Sequence, residues 1–326
     1  MNFQGGQQGI TLIELLIGSL LGIILSLAIM STVINSNIMN RESIKAIEIT
    51  ENGRFVNDIL QHDIANAGFY DSLGDMPVGG IGVDPCNLGL LNDSVNFPVQ
   101  AFNNTNSAEM AAVSSCDLQL ENNTDVLVIR RASSVIEDPL LLPDTYNFQA
   151  NYKDFIVQRS TDSALYPYSN KQGLEDIRQY FVHVYYISPC PEIDCGLASS
   201  TQLPTLKRLQ LNNGQFEQIV VAEGVEQFQL EYGIDRNGNG IPNESILGAG
   251  DAYIEDPDDV EMQNIVAIKY YLIVRSSEDT DDYADANSYD LGEFGDITGA
   301  SLGDTFKRRL FMNLTRVVNI ASKRES

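Results

Sequence analysis

The sequence predicts an α+β fold in which one long N-terminal helix packs on a mostly antiparallel β-sheet head. Three observations carry that expectation. Residues 10–34 form an almost wholly apolar run, and beyond it apolar side chains recur to about residue 67 at a spacing near 3.6. Beyond Gly68 the chain changes to short runs rich in β-branched and aromatic residues. No later interval has the length and period of a second long helix, which disfavours a parallel β-α-β arrangement.

The helix starts as an apolar run. From Ile10 to Ile34 there are 25 residues with a single charge, Glu14, a helical length of about 37 Å against a hydrocarbon core of about 30 Å. A membrane span fits by length. A cleaved signal peptide competes, because Ser26-Leu27-Ala28 passes as a cleavage site, but a basic n-region is missing and the run outlasts an h-region. A carboxylate inside such a span costs free energy, most at the membrane centre and less near its ends, so Glu14 requires either a partner or access to headgroups. Past Ile34, Ile38, Ile44, Ile47, Val56, Ile59, Leu60 and Ile64 continue an apolar stripe between charged residues. Gly68 and the following "FYDSLGDMPVGGIGVDP" supply the stop.

Eight strand-like runs follow, at 124–131, 153–159, 178–188, 206–211, 217–221, 225–234, 264–276 and 307–320, separated by Gly, Pro, Asn and Asp. Asn213-Gly214 between two of them is a strong hairpin signal. The polar interval 278–305 reads as a surface loop.

The formal charge of −25 and pI near 4.2 disfavour nucleic acid as a partner and disfavour docking on anionic lipid by charge; no direct nucleic-acid site is evident. The acid is uneven. Residues 251–300 hold fourteen Asp or Glu against Lys269 and Arg275, whereas 305–326 hold six Lys or Arg against Glu325. A solvated acidic loop region followed by a basic last strand accounts for this, and a cation-binding or partner-docking role is the alternative.

Four cysteines, Cys86, Cys116, Cys190 and Cys195, with only His62 and His183 beside them, form no zinc pattern, and behind a membrane span disulfides are their natural use. Three pairings are open. Proximity favours Cys86 with Cys116 and Cys190 with Cys195, which by loop entropy would contribute roughly 3.5 and 2 kcal/mol.

One motif is site-like. In "DRNGNGIPNESI", residues 235–246, Asp235, Asn237 and Asn239 occupy positions one, three and five of an EF-hand loop, Gly240 position six, the Ile241 carbonyl position seven and Asn243 position nine. Position twelve is Ile246 instead of a bidentate Glu, so calcium would bind weakly, with Glu244 or Asp251 bending in. The competing reading is a plain Asn-Gly turn that binds nothing. Neither histidine has an acid or nucleophile in evident register, no nucleophile elbow or phosphate loop is present, and an enzyme is not expected.

Gly9 followed by "ITLIELL" resembles the class III leader of type IV pilins and type II secretion pseudopilins. The resemblance implies that prepilin peptidase cleaves after Gly9 and methylates the new N-terminus at Ile10. Glu14 then becomes the fifth residue, positioned to pair with the N-terminal amine of a neighbouring subunit. The leader "MNFQGGQQG" has no Lys or Arg, and Ile10 stands where Phe is commonest in the family.

"ENGRFVNDILQHDIANAGFY", residues 51–70, resembles the stretch after the membrane helix in the PilW family of large minor pilins; "NIVAIKYYLIVRS" (264–276) and "FKRRLFMNLTRVVNI" (306–320) are similar to its late strands. The resemblance implies a leader over 1–9, a transmembrane half-helix over 10–34, an amphipathic periplasmic half over 35–67 and a β-rich pilin head over 68–326. It implies an inner-membrane protein of a Gram-negative cell that enters the pilus fibre. Its implied partners are the other minor pilins, the major pilin, prepilin peptidase and a PilY-type tip adhesin. A type II secretion pseudopilin and a membrane-anchored binder that never polymerises are the rival readings.

Overall fold

Thr11 starts the first helix. Its hydroxyl accepts the Glu14 backbone N–H at 3.3 Å, while a Glu14 carboxylate oxygen accepts the Thr11 N–H at 3.0 Å. This reciprocal box satisfies donors that the first turn otherwise leaves open. Helix α1 then runs from Leu12 to Asn66. In the computed structural model the described residues are 11–74, 77, 79–104, 113–137, 144–160, 176–196, 201–243, 252–280, 282–302 and 305–324.

The chain divides into two compact units, Met1–Glu48 and Ile49–Ser326. In the first, every side chain from Leu12 to Ile34 is exposed and none between Glu14 and Arg41 is charged, and the helix is long and apolar enough to cross a membrane. In the second, Ile49, Val56, Leu60, Ile64 and Ala67 are buried on one stripe. Gly68 stops α1 in the left-handed region, at φ +71°, and its N–H donates to the Arg130 carbonyl.

The head carries β1 (Val99–Phe102), β2 (Val126–Ala132), β3 (Tyr146–Ala150), β4 (Phe155–Arg159), β5 (Arg178–Ser188), β6 (Thr205–Asn212), β7 (Gln215–Glu223), β8 (Val225–Ile234), β9 (Tyr253–Ile254), β10 (Ile265–Arg275), β11 (Ser288–Asp290), β12 (Asp296–Thr298) and β13 (Arg308–Arg316). A seven-stranded sheet has the order β1-β2-β5-β3-β4, with β6 joining β5 and β7 joining β6. A four-stranded sheet has the order β13-β10-β8-β9, and β11 pairs with β12. Each strand pairing is antiparallel. The hairpin expected at Asn213-Gly214 joins β6 to β7 with both residues at positive φ, 46° and 69°, the twist-matched geometry that Asn-Gly allows.

Side-chain alternation explains how two sheets and one helix share cores. Leu127, Ile129, Tyr185 and Ile187 join the α1 stripe, together with Ile268, Tyr270, Leu272 and Val274 of β10. Val126, Val128, Val182 and Val184 point the other way, into a second core with Tyr70, Phe148 and Tyr180. Asp125 ties the sheets together: its N–H donates to Phe228 O, and its carboxylate accepts the Asn104 and Leu230 N–H groups, each at 2.8 Å. Burial, with Glu255 and Asp256 adding to it against those two donors, raises its pKa to about 7.

Three expectations are corrected. The run 307–320 is not one strand: β13 ends at Arg316 and a helix occupies Val318–Arg324. Val317, Ile320 and Ala321 are buried there at helical spacing. The interval 278–305 is more than a loop, since the β11–β12 hairpin places Tyr289 and Leu291 in a small core with Tyr271 and Ile273. Strands β1, β3 and β9 were absent from the sequence reading. The sulfurs pair as proximity favoured, Cys86 with Cys116 and Cys190 with Cys195.

Gly53 on α1 faces Phe311 of β13 so closely that an added Cβ would sit 2.3 Å from the ring. Gly53→Ala is therefore expected to cost about 1–3 kcal/mol by overpacking. Measured melting of the single variants and of Gly53→Ala/Phe311→Ala should give a non-additive cycle, because Phe311→Ala removes the clash; strict additivity would contradict the contact.

Candidate functional site

Three places bear on function. At the helix start, Gly9 and Ile10 lie outside the described residues, and Glu14 is exposed. Its Oε2 accepts both the Thr11 N–H at 3.0 Å and the Thr11 hydroxyl at 2.9 Å. Both of these bonds use one carboxylate oxygen. A carboxylate has about four lone-pair sites, so Oε1 keeps acceptor capacity for a further donor.

The loop after β8 gathers Asp235, Asn237, Asn239, Ile241 and Asn243, while Glu244, Ile246 and Asp251 lie outside the described residues. The side-chain oxygens counted as ligands face donors of the protein itself. Asp235 is buried; Oδ1 accepts the Gly238 and Asn239 N–H groups at 2.7 and 3.1 Å, and Oδ2 accepts that of Gly240 at 2.9 Å. Asn237, Asn239 and Asn243 accept the N–H groups of Asn239, Ile241 and Arg236 at 3.0–3.1 Å. The positive charge beside Asp235 is Arg324 of the C-terminal helix, with Nη1 3.6 Å from Oδ2 and 3.2 Å from the Asp235 carbonyl. Gly238 and Gly240 take positive φ, 76° and 77°, which lets successive amides turn toward one carboxylate.

The third place was missed by sequence reasoning. Asp63 of α1 is buried, and His183 Nδ1 lies 2.5 Å from its Oδ2. The Tyr185 hydroxyl donates to the same oxygen. Arg131 approaches Oδ1 at 3.7 Å and Arg208 approaches Oδ2 at 3.9 Å. One helix residue thus meets β2, β5 and β6 at once. Burial would raise the Asp63 pKa, but the His183 hydrogen bond and charge, the Tyr185 hydroxyl and Arg131 outweigh it and hold it at about 2. Burial lowers His183 against the pull of Asp63, and Arg208 and Arg131 oppose its protonation further. A neutral imidazole donating to an ionised carboxylate satisfies both.

The acid that His183 lacked in sequence register is Asp63, 120 residues away. An open groove of about 380 Å³ runs beside the cluster, lined by Phe55, Asp58, Ile59, His62, Asp63 and Arg208. The arrangement fixes the rotation and height of α1 on the large sheet: a turn of the helix in either direction would leave two guanidinium groups and a buried ring without their anion.

The family model described as PilW, Type IV Pilus-assembly protein W, matches residues 184–319, from within β5 into the C-terminal helix. No curated protein and no solved structure matches the chain.

Proposed function

Over residues 184–319 this chain is a PilW-family protein, with a role in type IV pilus assembly, and on that premise we propose that it is a minor pilin. Prepilin peptidase removes residues 1–9 and methylates Ile10. The chain waits in the inner membrane with its head in the periplasm, then assembles with other minor pilins to prime the fibre near its tip. Twitching, adhesion or DNA uptake follows from that assembly, with the major pilin and a PilY-type adhesin as further partners.

The observation that carries the reading is Glu14. It is the lone charge between Thr11 and Asn40, on an exposed apolar helix long enough to span a bilayer. Thr11 supports one oxygen of its carboxylate while the chain is alone in the membrane. The other oxygen takes the N-terminal amine of a neighbouring subunit, so a group that is costly in lipid becomes a docking requirement. The stacked helices supply the apolar contact and Glu14 supplies the register. The match to a pilus-assembly family favours this reading over a type II secretion pseudopilin.

Glu14→Leu is expected to leave membrane insertion and head melting unchanged while depleting the protein from sheared pili by at least about tenfold, equivalent to about 1.4 kcal/mol of assembly free energy. Quantitative immunoblotting of membrane and pilus fractions reads this directly; equal recovery of variant and parent in pili would sink the docking role.

A further inference from the structure

Arg130 of β2 is fully buried, at 0% exposure. Charged side chains almost never lie that deep unless an opposite charge pairs with them. Its even-numbered neighbours Val126, Val128 and Ala132 face the second core, and Arg130 stands in register with Val182 of β5, which lies in that core too. The guanidinium therefore sits among apolar and aromatic side chains. Its hydrogen bonds go to neutral acceptors: Nη1 donates to the Phe97 carbonyl at 2.7 Å and Nη2 to Gln100 Oε1 at 2.8 Å, while Nε has no partner. No carboxylate of the described residues forms an ion pair with it. Asp84 is the acid whose field reaches it, and both Asp84 oxygens already accept N–H groups, from Cys86 at 3.0 Å and Ser115 at 2.9 Å.

A second orphan accompanies the first. The Tyr70 hydroxyl is buried without a partner, its ring stacked on Phe148 at 5.1 Å and on Tyr180 at 6.5 Å, and it interacts electrostatically with Arg130. Tyr180 cannot serve both. Ser94 Oγ donates to the Leu91 carbonyl at 2.7 Å and so accepts the Tyr180 proton at 3.1 Å. Arg130 Nε–H and Tyr70 O–H are thus two buried donors beside one uncompensated positive charge. A water molecule would accept from both and leave the charge unbalanced. A small anion accepts from both and balances the charge. Two donors among rings and valines suit a single halide; a sulfate-sized oxyanion needs more of both donors and space.

We propose that Arg130 and Tyr70 hold a chloride ion inside the second core of the head. The ion joins β2 to the chain that leaves α1, at a junction already marked by two backbone bonds: the Gly68 N–H donates to the Arg130 carbonyl and the Ala132 N–H to that of Phe69. Chloride binding therefore stabilises the seat of Tyr70 just beyond the helix end. The inference concerns the folded head alone and goes beyond the assembly reading, which stands or falls without it.

The test is thermal melting of the full chain in detergent while sodium gluconate is exchanged for sodium chloride. Sodium and ionic strength stay constant, which cancels the general screening that a chain of net charge −25 feels from salt. Raising chloride from about 1 to about 100 mM should lift the melting temperature by about 5 °C, and bromide should replace chloride. Tyr70→Phe keeps the ring and removes one donor. Whatever its own stability, its chloride-dependent rise should be about half the parent's, as for a site weakened roughly tenfold. If that variant fails to fold, crystals of the parent grown with bromide decide the matter, with an anomalous peak expected within hydrogen-bond reach of Arg130 Nε and Tyr70 Oη. A melting temperature indifferent to chloride, an equal rise in Tyr70→Phe, or water alone at that position in the crystal would each overturn the proposal.

Discussion

Asp63→Ala should lower the melting temperature of the head by roughly 10 °C. The substitution removes a buried carboxylate and leaves Arg131 and Arg208 facing His183 and the Tyr185 hydroxyl with no anion between them. Breaking a buried ion pair from one side costs about 3–5 kcal/mol, and for a unit of this size each kcal/mol is about 2–4 °C. Thermal melting in detergent measures it, and a change within about 1 °C would contradict the claim that this cluster seats α1.

Acid should reproduce part of the loss. The folded-state pKa of Asp63 lies below its ordinary value of 3.8, at about 2, so its stabilisation is present above pH 4 and fades as pH falls toward 2. That of His183 lies below 6.5, so folding favours the neutral ring, and stability is lost as pH falls below 6.5. Asp125 works in the opposite direction: its folded-state pKa is raised to about 7, and acidification from 7 to 4 relieves the cost of burying its charge. The quantity to read is therefore the difference between parent and His183→Gln, in which Asp125 cancels. The parent should lose more stability than the variant as pH drops below 6.5.

Asp235→Ala carries the second large effect, again about 3–5 kcal/mol. Three backbone N–H groups, those of Gly238, Asn239 and Gly240, lose their acceptor in a buried loop, and Arg324 loses its anion. The C-terminal helix should loosen with the loop, because Arg324 also donates to the Asp235 and Gln263 carbonyls. The same melts settle the calcium reading. With Arg324 as the counter-charge, calcium at about 1 mM is expected to leave the parent's melting temperature unchanged. A weak site would raise it by mass action, and the rise would vanish in Asp235→Ala.

The fold was legible where a local rule decided it. The apolar run from 10 to 34 and the 3.6 period beyond it located α1, glycine's freedom at positive φ located its end at Gly68, and Asn213-Gly214 located a hairpin. Legibility failed where distant parts of the chain decided. Val317 and Val318 favour a strand by their β-branching, yet burial of Val317, Ile320 and Ala321 on the main core selects a helix. The β11–β12 hairpin hides its apolar side, Tyr289, Leu291 and Ile297, among Asp and Gly. The Asp63 cluster has no local signature at all, since its members come from one helix and three strands of the large sheet. The EF-hand-like spacing left a calcium loop and a plain turn both open, because the partner that sits beside Asp235, Arg324, lies 89 residues away.

Central to the account is that Gly9 ends a leader and Glu14 is the fifth residue of the working chain. Intact mass of the protein from cells containing prepilin peptidase, parent beside Gly9→Ala, tests this most directly. The account predicts a parent lacking residues 1–9 and carrying one added methyl group, and a variant of full length. A parent that keeps its leader, or that begins at Ile29 after the Ser26-Leu27-Ala28 site, would contradict it and leave the β-rich head as an anchored or secreted binder.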